Sequence, residues 1–229
     1  MVIQPNPVLK KASLFKIDLG CGGCKREGTI GLDSFPQPGV DYVLNLTKDP
    51  IPLPDRSVEY VYSSHFLEHI QDDDWTNHIF PEISRVCVSG AKLELWTPYN
   101  WSNSAFILGH RKYINEDDYL HLCVWHYKTW EPILKARWLL QEICYVVPIN
   151  TLVDLHRHGV SLDFALRYFK GIVQEVGMFI EIQHDYQGPV VEPKRTFAIT
   201  RDSEHYVVKP DQIPFNWSDV EAAIQAFQD

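Results

Sequence analysis

The segment Lys16-Ile17-Asp18-Leu19-Gly20-Cys21-Gly22-Gly23 sets a short apolar run directly against three glycines. Glycines after a strand let the backbone turn tightly and let a ligand approach without a Cβ in the way. The N–H groups such a turn exposes suit an anionic group, a carboxylate or a phosphate. A second run ends in Asp33, and a carboxylate at the end of the second strand is where dinucleotide folds grip a ribose diol. The spacing departs from the dinucleotide fingerprint, which wants G-x-G-x-x-G with an acid about 20 residues on. Asp33 comes only 13 residues after Gly20, and Lys25-Arg26-Glu27 leave little room for a full first helix. Nicotinamide dinucleotides are disfavoured on that ground.

Two further patterns offer metal or redox chemistry. His65-Phe66-Leu67-Glu68-His69 spells H-x-x-E-H, and on a helix its two histidines would share a face and could bind zinc. The match begins directly after a strand, and five-residue matches are cheap in a chain with ten histidines, so the expectation is that no metal is required. Cys21-x-x-Cys24 has no second C-x-x-C to complete a zinc site. The five cysteines, Cys21, Cys24, Cys87, Cys123 and Cys144, are odd in number and read as free thiols of a reducing compartment.

Seven short runs, β-branched or aromatic and bounded by turn residues, must position these groups: Leu14–Leu19, Thr29–Asp33, Asp41–Leu46, Val58–Ser63, Ala91–Thr97, Met178–His184 and Thr196–Thr200. Ile79, Ile83 and Val86 recur at helical spacing within Asp72–Val86, with Pro81 expected to break or kink that helix. Ser161 can cap a helix that carries Ala165 to Val176 on one face and ends at Gly177. Strands alternating with helices predict an α/β, Rossmann-like, seven-stranded, mostly parallel sheet with helices on both faces. The absence of a helix between runs six and seven makes the last strand antiparallel. Only seven residues separate runs two and three, so a bare loop must connect them.

The chain reads as one domain, 1–229. The stretch 101–160, rich in Trp and His, reads as a helical insertion over the sheet, with helices near 131–146 and 150–158. Residues 202–229 read as a C-terminal extension, in which Ser218 and Glu221 form a capping box. Tyr99, Asn100 and Trp101 leave the carboxyl end of the fifth strand, where ligands bind in open α/β sheets, and are candidate substrate residues. Lys and Arg number 21 against 30 for Asp and Glu, a net charge of −9, which argues against a broad electrostatic grip on nucleic acid. No run of about 18 apolar residues predicts a membrane span. With no apolar leader pattern at the N-terminus, a cytoplasmic location is the default expectation.

The stretch to residue 98 resembles the class I S-adenosylmethionine-dependent methyltransferases, closest to the small-molecule, type 11-like branch. The resemblance is carried by KIDLGCGG, GTIGLD, GVDYVLNLTKDPIPLPDRSVEYVYSSHFLEHI and RVCVSGAKLELWTPYN, in that order over about eighty residues. It implies a seven-stranded sheet with the last strand antiparallel, and S-adenosyl-L-methionine as cofactor. Residue by residue it implies that Asp18 orders the glycine loop. It implies that Gly20, Cys21 and Gly22 carry the methionine part, that Asp33 accepts the ribose hydroxyls, and that Asn45 and Leu46 lie beside the adenine. Ser63, Ser64 and His65 then pass under the sulfonium. Asn45 stands where the family usually has an acid, and Val88-Ser89-Gly90-Ala91 replaces its usual Lys-Pro-Gly-Gly turn. The function implied is O- or N-methylation of a small-molecule acceptor, with His65, His69 and His110 as candidate bases. A macromolecule methyltransferase and a silent cofactor-binding module are the alternatives.

Overall fold

The computed structural model describes residues 14–207 together with Glu221 and Gln225. The arm before residue 14 and Ser218 of the terminal capping box lie outside the described residues. β1 (Phe15–Leu19), β2 (Ile30–Asp33), β3 (Tyr42–Val43) and β4 (Val58–Ser64) come first. A 3₁₀ turn, Leu67–His69, then leads into α1 (Asp72–Asp74), a π segment (Trp75–Ile79) and α2 (Phe80–Val86). β5 (Cys87–Pro98), α3 (Glu116–Leu120), a second π segment (His121–Trp125) and α4 (Tyr127–Leu134) follow. The chain continues through β6 (Arg137–Val146), α5 (Ile149–Arg157), α6 (Leu162–Tyr168), β7 (Glu175–Gln183), β8 (Lys194–Ala198) and β9 (Tyr206–Val207).

The strands form one sheet in the order β3-β2-β1-β4-β5-β7-β6-β8-β9. β1 pairs in parallel with both β2 and β4. The chain therefore leaves β1 toward one side of the sheet and returns for β4 on the other. The crevice at the carboxyl end of β1 is a topological switch point, where open α/β sheets bind ligands. Fold class is as the sequence implied, with nine strands among the described residues rather than seven.

Four details differ from expectation. Residues 137–146, expected within a helix, are β6, a strand in the middle of one half of the sheet. Its stretch Trp138–Leu140 is continuously buried, and a strand covered on both faces shows no alternation to set it apart from a helix. The segment 101–160 is therefore not wholly a lid. The expected helix from Ser161 to Val176 stops at Tyr168. Ser161 does cap it, accepting the Phe164 N–H at 3.2 Å. Gly177 lies inside β7 instead of ending a helix, because a Cβ there would come within 2.5 Å of the Trp96 ring. The antiparallel strands among the described residues are β7, held between β5 and β6, and the short β9, paired with β8, whereas β8, the expected antiparallel last run, is parallel to β6.

The fourth difference concerns the two faces. Every described helix that contributes to a hydrophobic cluster joins the same large one, with Ile17, Val61, Leu93, Leu95 and Ile180 of the sheet beneath. The opposite face carries a small cluster made of strand residues, Tyr62, Trp96, Cys144, Val146 and Ala198. Helices on both faces were expected. The connections from β1 to β2 and from β2 to β3 carry no helix among the described residues, because loops of about ten residues are too short for a helical crossover. Pro81 sits at the first turn of α2, directly after the π segment. The wider π turn relieves the clash that a proline ring makes with the carbonyl four residues back.

Candidate active site

The glycine turn folds as its sequence dictates. Gly20 and Gly22 both take positive φ, +66° and +53°, conformations in which a side chain is strained. Gly20 has a second reason to lack a side chain: a Cβ there would meet the Phe66 ring at 2.5 Å. At Gly22 a Cβ would meet nothing within 4 Å, so this part of the turn faces open space. The Gly22 N–H donates to Asp33 Oδ2 at 2.9 Å, and the Phe35 N–H donates to Asp33 Oδ1 at 2.9 Å. The carboxylate at the tip of β2 is thereby clamped beside the turn, and each oxygen keeps a further lone pair.

Asp18 lies beneath this loop, 2% exposed, and accepts the Arg26 N–H at 2.8 Å. Burial raises its carboxyl to about 6 against the pull of that bond and of the Arg26 charge. Cys21 is buried, and burial followed by the Asp18 charge pushes its thiol up to about 11. It packs on Gly31, where a Cβ would meet its sulfur at 2.7 Å. Cys21 and Cys24 are both free thiols. Leu46 is in the main core. Asn45 is exposed, and its Oδ1 closes a local turn by accepting from the Thr47 N–H and hydroxyl.

At the carboxyl end of β4, Ser63 is buried and donates to the Leu19 carbonyl at 3.1 Å, tying β4 to β1. His65 has a φ of +54°, uncommon for a residue with a side chain and concentrated at functional sites. Its Nε2–H donates to Glu175 Oε1 at 2.9 Å, and its Nδ1–H donates to Glu68 Oε1 at 3.1 Å. The bond to Glu175, then that to Glu68, raises the imidazole to about 9. An imidazolium with both nitrogens donating has no lone pair with which to take a proton at neutral pH. This corrects the expectation of His65 as a base: it is a fixed cation at the strand end. Arg201 donates to Glu175 and to the Ser64 hydroxyl, completing the cluster.

Beside His65 and Glu175 opens a cleft of 350 Å³, lined also by Ser102, Asn103, Ser104 and Val173. Tyr99, Asn100 and Trp101 line a neighbouring cavity of 310 Å³ with Glu116, Tyr145 and Arg195. Trp125 and Trp130 line neither. They border a 450 Å³ cavity with Trp75, Phe80 and Tyr119 among the helices. His69 and His110 meet ring to ring at 4.7 Å. Most of the expected site residues therefore divide into the glycine turn with Asp33, the charged cluster on His65, and the cavity at Tyr99–Trp101; His69 with His110, Asn45 and Leu46 stand outside these three groups. Nothing local in the sequence points to Glu175 or Arg201, which lie more than a hundred residues from His65 and reach it only through the strand order.

No family model matches the chain, and no curated protein matches it. Solved structures do. A SAM-dependent methyltransferase from Archaeoglobus fulgidus is similar at 17% identity, over 75% of this chain and 87% of that one, with a TM-score of 0.48. One from Mesorhizobium loti is similar at 16% identity, over 74% and 91%, with a TM-score of 0.42. One from Methanosarcina mazei is similar at 13% identity, over 80% and 100%, with a TM-score of 0.47.

Proposed function

We propose that the chain is an S-adenosylmethionine-dependent methyltransferase acting on a small-molecule acceptor. The observation that carries this is the clamp of Asp33 onto Gly22 at the switch point of the sheet. It joins a carboxylate with free acceptor capacity to a glycine turn open on one side. Sequence resemblance over about eighty residues, from Lys16 onward, supports the same cofactor. The residues fit it: Asp33 would hold the ribose hydroxyls, the Gly20–Gly22 turn the methionine part, and Leu46 the adenine edge.

When bound, the cofactor supplies a methyl group already activated on a sulfonium, so the protein's work is alignment and exclusion of water. Ser63 fixes β4 against β1, and Asp18 fixes the loop through Arg26. His65 and Glu175, the latter held by Arg201, form part of the wall of the 350 Å³ cleft in which an acceptor would lie. Tyr99, Asn100 and Trp101 would shape acceptor entry from the adjoining cavity. A small acceptor fits the volumes of these clefts, 350 and 310 Å³, and the acidic net charge disfavours nucleic acid. Incubation with methyl-labelled cofactor and a metabolite extract tests the proposal. Transfer of label to a small product is expected, and label found only on protein or nucleic acid would move the acceptor to another class.

A further inference from the structure

We propose that Glu68, His69 and His110 form a binding site for a divalent transition metal of the zinc type. One ligand atom from each of the three lies within 4.8 Å of the others. Two of these side chains hold buried polar atoms that nothing satisfies. Glu68 is 1% exposed; its Oε1 accepts from His65, while its Oε2 has no partner. His110 Nδ1 is likewise buried and without a partner. A buried carboxylate oxygen and a buried imidazole nitrogen left unsatisfied each carry the full cost of desolvation. One cation between them removes both costs.

The site is held by backbone as well as by side chains. Glu68 and His69 lie in the 3₁₀ turn after β4. The Glu68 carbonyl accepts the N–H groups of Arg111 and Lys112 at 2.7 and 3.1 Å, which fastens the His110 segment to that turn. The His69 Nδ1–H donates to the Gly109 carbonyl at 3.3 Å, leaving the Nε2 lone pair as the ligand. This is the outer-sphere arrangement that orients metal-bound histidines. Ligands of a tetrahedral zinc are roughly 3.4 Å apart at bond lengths near 2.1 Å, so the cluster, within 4.8 Å, closes by about 1.4 Å at most. His69, exposed at the surface, is free to make that adjustment.

The H-x-x-E-H match thus points to a metal with one member exchanged. His65 is bound to Glu68 as an outer partner, and His110, forty-one residues on from His69, takes its place. Two imidazoles and one carboxylate leave coordination positions open, the composition of a site that binds an exchangeable oxygen ligand. The other such group among the described residues is Glu142, Cys144 and His205. There His205 Nδ1–H already donates to Glu142 at 2.6 Å and Thr196 donates to the same oxygen, so its polar atoms are satisfied.

The test uses the full chain, stripped with a chelator, with no S-adenosylmethionine present. Titration calorimetry with Zn²⁺ is expected to show one equivalent bound, and Co²⁺ to give visible d–d bands at the same stoichiometry. His69→Ala removes an exposed ring, so the fold survives, and weakens Zn²⁺ binding by at least about tenfold. His110→Ala and Glu68→Gln do the same, with melting curves confirming that they fold. His205→Ala leaves stoichiometry and affinity unchanged. No saturable Zn²⁺ or Co²⁺ binding by the wild-type chain, or equal affinity in His69→Ala, overturns the site. S-adenosylmethionine binding to the zinc-free chain is measured separately, so failure of the metal site and failure of the cofactor assignment are told apart.

Discussion

Arg201 and Glu175, 26 positions apart in the chain, are joined by two bonds, Nε to Oε2 at 2.5 Å and Nη2 to Oε1 at 2.9 Å. Glu175 begins β7 and Arg201 lies just past β8, so the pair ties two strands that are not neighbours in the sheet. Through His65 and Ser64 it also holds the end of β4. Burial alone would raise the Glu175 carboxyl; the bonds from Arg201 and then His65 outweigh it and hold the group at about 2.

Glu175→Gln should therefore destabilise the chain by about 1.5–3 kcal/mol near neutral pH, the scale of hydrogen bonds to charged groups. The sign with pH follows from a depressed acid. The contribution is present above the ordinary value of 4.5 and is lost as pH falls toward 2. Urea unfolding of both proteins at pH 7 and pH 3 checks this, and the gap between them should narrow at the lower pH.

The two glycines of the turn should respond differently to alanine. Gly22→Ala meets only the strain of a left-handed residue, about 1–2 kcal/mol. Gly20→Ala meets that strain and also a Cβ contact of 2.5 Å with Phe66, so it should cost clearly more. Thermal melts of the two variants order them, and an equal loss would mean that Phe66 yields.

Asp18 carries the opposite pH sign to Glu175. Burial raises its carboxyl to about 6, so its stabilising form is the protonated one. That contribution is complete below 3.8 and is lost as pH rises through 6. Asp18→Asn keeps an acceptor for the Arg26 N–H and should stabilise the chain by about 1–3 kcal/mol at pH 8. At pH 4 the two proteins should unfold alike. Denaturant midpoints at both values measure the difference.

How much of this was legible in the sequence depended on range. The strand–glycine–Asp33 arrangement is local, spanning 13 residues from Gly20, and its glycines were readable from type and spacing. β6 was not, because Trp138, Leu139 and Leu140 are buried in succession and a short continuous apolar run has no period. Gly177 looked like a helix stop because Gly often is one. Its real cause, the Trp96 ring across the strand, lies 81 residues away. The same holds for the site. His65, Glu68 and His69 were visible in a five-residue motif, but His110, which meets His69, and Glu175, which holds His65 and is itself held by Arg201, come from distant parts of the chain. A sequence does not state which loops the strand order brings together.

We propose that the Gly20–Gly22 turn and Asp33 hold S-adenosylmethionine. Titration calorimetry with that cofactor tests it most directly, on the wild-type chain and on Asp33→Ala, each verified by melting to be folded. Saturable one-to-one binding is expected for the wild type, weakened by about 1.5–3 kcal/mol in the variant, roughly tenfold to 150-fold in Kd. No saturable binding by the wild-type chain, or the same affinity in both proteins, would contradict it.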